Sequence, residues 1–132
     1  MASFSLGNRY NVIRILLADD NDRVRSMMRE VITQSGEAWQ ICAEATDGEA
    51  AYKAAIEAKP DLVVLDFRMP VLNGLTAARI IRKALPEVPI LLYTSLDFPP
   101  LARMARQAGI NAVLQKVESG MLVQTIRKLA PS

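Results

Sequence analysis

Short apolar segments alternate along this chain with longer segments of helical periodicity. The segment VIRILLA reads as a first strand. The next apolar side chains recur at the spacing i, i+3, i+4, i+7 and i+8, which places them on one face of a helix. That helix is expected to end near Gly36, and its apolar face consists of Val24, Met27, Met28, Val31 and Ile32.

Four further segments predict strands, and a helical pattern follows each of them. The strand segments are WQICAEA, DLVVLDF, PILLYT and NAVLQK. DLVVLDF is apolar almost throughout, as expected of a parallel strand that is covered on both faces. Proline suits the first turn of a helix. The helices are predicted in DGEAAYKAAIEAK, around Leu75 to Leu85, from Pro99 and Pro100 to Gly109, and from Met121 to Leu129.

Five strand and helix pairs in strict alternation define the fold class. They predict an α/β protein with a five-stranded parallel sheet, right-handed crossovers and helices on both faces, a doubly wound (βα)5 arrangement. In such sheets, ligands bind in the crevice at the carboxyl ends of the strands. Residues that directly follow a strand are therefore the candidates for a functional site.

Reactive side chains follow four of the five predicted strands. The first strand ends at Asp19 and Asp20, the third at Asp66, the fourth at Thr94 and the fifth at Lys116. Each has an ordinary explanation when it is taken alone: the acids can cap a helix or open a turn, and the lysine can be a solvated charge. Their coincidence at one edge of one sheet favours a shared site.

The chemistry of these side chains suggests a metal ion and a phosphoryl group. Three neighbouring carboxylates raise one another's pKa unless a cation lies among them. Magnesium prefers oxygen ligands and commonly takes one or two carboxylates, several waters and a phosphate. A remaining carboxylate can attack phosphorus and form an aspartyl phosphate. Lys116 would then supply positive charge and Thr94 a hydrogen bond.

Composition narrows the remaining possibilities. The 132 residues suit one domain, and 16 Lys and Arg against 14 Asp and Glu leave no evident basic patch for nucleic acid. The absence of histidine excludes His-based zinc sites and His-dependent triads. Cys42 is the single cysteine and is expected to be a core thiol. No apolar run approaches a membrane span, and MASFSLGNRYNV lacks a signal-peptide core, so the expected location is cytoplasmic.

Taken together, the motifs resemble the receiver domain of bacterial two-component response regulators. The acidic pair, DLVVLDFRMPVLNG, YTS and LQK occur in the order found in that family. The resemblance assigns residues 12–130 to the receiver domain, 1–11 to an N-terminal tail and 131–132 to the C-terminal end. It also implies a flavodoxin-like sheet with strand order 2-1-3-4-5, which places the first and third strands side by side.

The resemblance also implies a role for each site residue. Asp66 matches the phosphoacceptor, which takes its phosphoryl group from the phosphohistidine of a sensor histidine kinase. Asp20 matches the direct ligand of Mg²⁺, and Asp19 matches the acid that holds the ion largely through water. Asp66 also belongs to the metal site, which the backbone carbonyl of Arg68 would complete. A receiver of this kind is not an enzyme; it catalyses only its own phosphoryl transfer and slow dephosphorylation.

The switch residues match the family in part. Thr94 matches the switch hydroxyl and Lys116 the lysine that contacts the phosphoryl oxygens. Val117 replaces the proline that often follows this lysine through a cis bond; a cis bond before a non-proline residue would cost about 2.5 to 4 kcal/mol. Val113 replaces the usual switch aromatic, so the output mechanism is expected to differ. Arg68 and Leu96 occupy positions that tune the lifetime of the phosphoryl group.

Other functions stay open at this point. One alternative is a phosphorylation-independent binding module with the receiver fold. Another, ranked last, is a phosphatase of the haloacid dehalogenase type; that family needs an acid two residues after the nucleophile, where Arg68 stands.

The output also stays open. The chain ends in KLAPS, which leaves two alternatives: a stand-alone receiver, or the receiver portion of a regulator with a downstream output domain such as a helix-turn-helix. A homodimer is expected through the fourth helix, fifth strand and fifth helix, with Leu101 and Val113 as contact residues. Contact with a membrane, and direct contact of this domain with nucleic acid, are not expected.

Overall fold

The computed structural model describes residues 12–131, so the predicted tail at 1–11 lies outside the described residues. Five strands form one parallel sheet in the order β2-β1-β3-β4-β5, which confirms the predicted fold class and strand order. Their bounds are β1 Ile13–Ala18, β2 Trp39–Ala45, β3 Leu62–Leu65, β4 Ile90–Thr94 and β5 Ala112–Gln115.

Five α-helices follow the strands, one after each. The first three begin at Asn21, Asp47 and Asn73, whose side chains accept hydrogen bonds from backbone N–H groups of the first turn. Such caps satisfy donors that have no partner inside a helix. The helices are α1 Asp22–Thr33, α2 Gly48–Ala58, α3 Gly74–Ala84, α4 Leu101–Gln107 and α5 Leu122–Leu129.

The sheet separates two apolar cores. Alternate residues of β1 point to opposite faces: Leu16 packs with α2, α3 and α4 in the first core, and Ile15 packs with α1 and α5 in the second core. The same alternation divides Leu62–Leu65, in which every residue is buried. Burial on both faces explains why β3 is apolar throughout. The polar groups of the strand ends are thereby confined to the edge of the sheet.

Three local predictions need correction. Pro99 and Pro100 form a turn before α4 rather than its first turn, because Pro100 occupies the N-cap position. A 3₁₀ helix, Lys116–Met121, intervenes before α5, which begins one residue later than expected. Leu101 is only 3% exposed in the first core, so it is not an accessible dimer contact.

Within residues 12–131 no peptide bond is cis, so the bond between Lys116 and Val117 is trans.

Cys42 is half-buried rather than a core residue. The pairing of β1 with β2 shifts there: Ile15 pairs with Ile41, but Leu16 pairs with Ala43. Cys42 is thus the extra residue of a bulge, a local irregularity that the apolar pattern of the strand does not reveal. Burial raises the pKa of its thiol, which favours the neutral form.

Candidate functional site

Three carboxylates meet where β1 and β3 end. Asp19 follows β1 and is 1% exposed, and Asp66 follows β3 and is 7% exposed, whereas Asp20 is open to solvent. One carboxylate oxygen from each residue lies within 4.8 Å of those of the other two. The adjacency of β1 and β3 produces this cluster, because neighbouring parallel strands end at the same edge. The grouping expected from the sequence is therefore present.

Lys116 reaches this cluster from the end of β5. Its Nζ donates to Oδ2 of Asp19 at 2.7 Å and to Oδ2 of Asp66 at 2.9 Å. The other oxygens accept backbone hydrogen bonds: the Asn21 N–H donates to Oδ1 of Asp19 at 2.9 Å, and the Phe67 N–H to Oδ1 of Asp66 at 2.7 Å. Both buried carboxylates are therefore held in fixed orientations.

Burial and neighbouring charges have opposite effects on the pKa values of Asp19 and Lys116. Burial raises the pKa of Asp19, and Asp66 adds to the rise, while hydrogen bonds from Lys116 and Asn21 offset part of it. Burial alone would lower the pKa of Lys116, but its hydrogen bonds to Asp19 and Asp66 raise it, and the net shift is upward. Lys116 is therefore an ammonium at neutral pH, and the charge on Asp19 is only partly compensated.

The donor set fits a hard divalent cation. All three candidate side-chain ligands are carboxylates, and the exposure of Asp20 leaves one side of the cluster open to water. Mg²⁺ prefers such oxygen ligands and retains several waters when it binds proteins. Additional positive charge would also relieve the repulsion between Asp19 and Asp66. The cluster can thus hold a metal ion.

A cavity of about 320 Å³ opens beside Asp66. Thr94 is 1% exposed, and its Oγ1 accepts a hydrogen bond from the Leu96 N–H at 3.2 Å. The Leu96 carbonyl in turn accepts from Nε2 of Gln115 at 2.7 Å, which ties this loop to β5. The cavity has room for a phosphoryl group beside the carboxylate, and it is lined by Asp66, Arg68, Thr94, Ser95 and Leu96.

Glycine allows α3 to start against the backbone of Asp66. The Gly74 N–H donates to the Phe67 carbonyl at 2.7 Å. A Cβ atom at Gly74 would lie 2.0 Å from the Asp66 carbonyl oxygen, a distance that no side chain can adopt without a backbone shift. The motif LNG can be read from the sequence, but the close approach of Gly74 to the Asp66 backbone follows from the tight turn that the chain makes after β3.

Arg25 and Phe98 support the site and were missed by sequence reasoning. The Arg25 side chain is 12% exposed, and its Nη1 donates to the Asp19 carbonyl at 2.7 Å. Its Nε also donates to Oε1 of Glu44 at 3.1 Å, which links the acidic loop to β2. Phe98 packs edge-on against Phe67 with ring centroids 6.4 Å apart. The i, i+3 spacing of Asp22 and Arg25 can be read from the sequence and indicates that their side chains meet on α1. The contact of Arg25 with β2 and the contact of Phe98 with Phe67 arise only when the chain is folded.

Comparison with known proteins identifies the family. A family model described as the response regulator receiver domain matches residues 15–127. The chain therefore belongs to the response regulator receiver family, as its motifs predicted. This domain is a signalling module and not an enzyme, and the match counts against the phosphatase alternative. None of the helices in residues 12–131 is long and apolar enough to cross a membrane.

Individual relatives differ in how much of them the chain covers. It is 34% identical over 105 residues to the transcriptional regulatory protein LnrK of Bacillus subtilis, covering 80% of this chain and 47% of LnrK. It is 29% identical over 118 residues to the chemotaxis protein CheY of Thermotoga maritima, covering 89% of this chain and 97% of CheY. The chain thus spans about half the length of the first relative and nearly all of the second.

A solved structure supports the same assignment. A two-component response regulator of the LuxR family from Aurantimonas sp. SI85-9A1 superimposes with a TM-score of 0.83 and 33% identity. The match covers 89% of this chain and 84% of the other. The fold and the order of the strands are therefore those of known receivers.

Proposed function

We propose that this chain is a phosphorylation-controlled receiver whose phosphoacceptor is Asp66. The observation that carries the proposal is the position of the Asp66 carboxylate, which lies 2.9 Å from the Lys116 ammonium and within a cluster of three acids. The donor would be the phosphohistidine of a sensor histidine kinase. Family membership supports this assignment, and the geometry around Asp66 supplies the nucleophile and the compensating charge.

In the proposed reaction, a carboxylate oxygen of Asp66 attacks phosphorus while the bond from phosphorus to the histidine nitrogen breaks. The backbone N–H of Phe67 fixes the carboxylate, which limits the rotation that would misalign it. Lys116 neutralises charge on the transferring oxygens, which is the main contribution a protein makes to phosphoryl transfer. Arg68 and Leu96 line the cavity beside Asp66, so these two side chains would limit the access of water and set the phosphoryl lifetime.

The proposal includes Mg²⁺, held by Asp19, Asp20, Asp66 and the backbone carbonyl of Arg68. When bound, the ion supplies positive charge to the phosphoryl oxygens. Before phosphorylation, the Lys116 ammonium neutralises part of the charge on Asp19 and Asp66.

The proposed output begins at Thr94. A phosphoryl group on Asp66 would draw its hydroxyl into a new hydrogen bond and thereby break the contact with the Leu96 N–H. Because Leu96 also accepts a hydrogen bond from Gln115, the loop before α4 would move together with the end of β5. This movement would control homodimerisation through α4, β5 and α5, with contact residues other than Leu101.

The relatives suggest what lies downstream. One is a transcriptional regulatory protein, of which the chain covers about half, and one is a LuxR-family response regulator. We therefore propose that this receiver controls an output domain of the DNA-binding kind, and that it operates in the cytoplasm. The alternative of a stand-alone receiver, like CheY, is supported by the 97% coverage of that relative.

Fluorine NMR of the beryllofluoride adduct tests the proposal. The protein with Mg²⁺, beryllium and fluoride should give resonances of an adduct bound to Asp66, and Asp66→Asn should abolish them. Asp97→Asn, at an exposed position of the loop before α4, is the matched control and should retain the adduct. Failure of the unmodified protein to form an adduct, or an adduct on Asp66→Asn, would contradict the assignment.

A specific observation favours a second candidate, a binding module that works without phosphorylation. Val113 is half-buried where the family usually has its switch aromatic, and Val117 is 87% exposed where proline is common. Titration with Mg²⁺, followed by amide NMR, separates the candidates. A module without phosphoryl chemistry would show no response at Asp20 or Phe67.

A further inference from the structure

A groove between α3 and α4 lies on the face of the domain that carries the first core. It encloses about 640 Å³, roughly twice the volume of the cavity beside Asp66. Its lining includes Thr76, Arg79, Ile80 and Lys83, spaced i, i+3, i+4 and i+7 along one stripe of α3. Arg106 and Ala108 line the opposite side. The groove is thus large enough for several side chains rather than for a single ion.

The groove has an unbalanced positive charge. Helices α3 and α4 carry five Arg and Lys residues and no Asp or Glu. Among residues 12–131, no carboxylate lies within 4 Å of the cationic groups of Arg79, Lys83 or Arg106. These three side chains are exposed. Lys83 and Arg106 lie near the C-terminal ends of their helices, where a positive charge interacts favourably with the helix dipole. Arg79 lies in the middle of α3, where the dipole does not stabilise its charge.

Arg82 adds a further positive charge, and within the described residues 12–131 its hydrogen bonds all go to neutral oxygens. Its guanidinium donates to the Gly109 carbonyl at 2.7 and 3.1 Å and to Oδ1 of Asn111 at 3.0 Å. It also donates to the Leu85 and Pro86 carbonyls at 3.1 and 2.9 Å. Burial lowers the pKa of Arg82, and Glu87 offsets part of this shift. Arg82 thus fastens α3 to the turn after α4 and fixes the width of the groove.

We infer that this groove binds an acidic amphipathic helix of a partner protein. The cations along α3 match carboxylates repeated at helical spacing, and the half-buried Ile80 provides apolar surface between them. A nucleic acid fits less well, because none of the nine lining residues is aromatic and bases would find no ring to stack on. Phosphates alone would also gain nothing from the apolar part of the groove. The inference does not depend on chemistry at Asp66.

Amide NMR of the full chain with a designed probe tests this inference. The probe is a blocked peptide of about 14 residues, roughly 21 Å long as a helix, with glutamates on one stripe and leucines beside it. A peptide of the same composition in shuffled order, lacking the stripe, has the same charge. The amphipathic peptide should shift the amides of Thr76, Ile80 and Ala108 and should bind at least about tenfold more tightly than the shuffled one.

Charge reversal identifies the surface. Arg79→Glu with Lys83→Glu should weaken peptide binding at least about tenfold, and Arg106→Glu should weaken it from the other wall. Arg23→Glu with Lys128→Glu changes the net charge equally at exposed positions of α1 and α5 and should leave binding unchanged. Thermal unfolding confirms that the variants fold. The beryllofluoride adduct should form in all of them, so that loss of the adduct would concern the proposed function and not the groove.

Three outcomes would overturn the inference. Equal binding of the shuffled peptide would show that only net charge is recognised. Unchanged binding by both groove variants would place the contact elsewhere. Binding of a short DNA duplex, lost in Arg79→Glu with Lys83→Glu, together with no binding of the amphipathic peptide, would assign the groove to nucleic acid.

Discussion

The Lys116 ammonium lies 2.9 Å from Oδ2 of Asp66, although 50 residues separate them in the sequence. Lys116→Met keeps a similar chain length but leaves two buried carboxylates without this cation. In Mg²⁺-free buffer at neutral pH, the free energy of unfolding should fall by about 3 kcal/mol. Urea denaturation measures the difference.

The pH dependence of this variant follows from charge. Burial raises the pKa of Asp19, and protonation of this acid removes its need for a cation, so the deficit of Lys116→Met should shrink at acidic pH. In the unmodified protein the pKa of Lys116 is raised above 10.5, so its contribution is complete below that pH and declines only as the pH rises through the higher value. Lys116→Arg is the charge-preserving control. A deficit independent of pH would indicate lost packing instead.

Asp19→Asn should stabilise the metal-free protein. Burial raises the pKa of Asp19 above 3.8, so the folded state binds a proton where the unfolded state does not. The contribution of Asp19 to the free energy of unfolding therefore increases as the pH falls from its pKa in the folded state toward 3.8. At neutral pH, the negative charge of Asp19 destabilises the folded state. Melting temperatures in EDTA at pH 7 should rise in the variant, and the gain should vanish below the pKa of the unfolded chain.

The same substitution should reduce the response to magnesium. Mg²⁺ at roughly 100 times its Kd should stabilise the unmodified protein by about 2.7 kcal/mol, since it binds the folded state alone. Asp19→Asn should lose most of this increment at the same concentration. Equal stabilisation of both proteins would contradict a metal site that includes Asp19.

Gly74→Ala should disturb both stability and the site. The new Cβ would meet the Asp66 carbonyl oxygen at 2.0 Å, and because both atoms are attached to backbone, the strand end or the helix must move. A loss of about 3 kcal/mol in the free energy of unfolding is expected, with weaker beryllofluoride binding. Gly120→Ala is the control, since nothing lies within 4 Å of its Cβ position. Its stability should stay within about 0.5 kcal/mol.

Tyr93→Phe should increase stability. Tyr93 is 1% exposed, and its hydroxyl is the one buried side-chain polar atom without a hydrogen-bond partner among residues 12–131. Burial raises the pKa of Tyr93, and the positive charge of Lys116 and the nearby Ser119 offset part of that rise. Removal of the unpaired hydroxyl should add about 1 kcal/mol to the free energy of unfolding.

The control for this prediction is Tyr52→Phe, at a half-buried position of α2, which should change stability little. A decrease in the stability of Tyr93→Phe, measured by chemical denaturation, would mean that its hydroxyl has a partner in solution, such as an ordered water.

Sequence periodicity was sufficient for the strands and for the end of the sheet at which Asp19 and Asp66 lie. Their placement side by side required the strand order 2-1-3-4-5, which came from the resemblance to the receiver family and not from periodicity. The basic groove was not predictable in this way. Arg79 and Arg106 lie 27 positions apart, and only the packing of α3 beside α4 joins them. The contact of Arg25 with Glu44 and the bulge at Cys42 likewise depend on the pairing of β1 with β2.

The contact between Lys116 and Asp19 joins residues 97 positions apart, across nearly the whole described chain. The paired arrangement of these groups therefore cannot be assembled by any local fragment; it exists only when β1, β3 and β5 have all taken their places. Long-range closure of this kind is slow relative to helix formation. Affinity for the proposed Mg²⁺ should thus report completion of folding, and a chain cleaved between α2 and α4 should lack this affinity even where its helices persist.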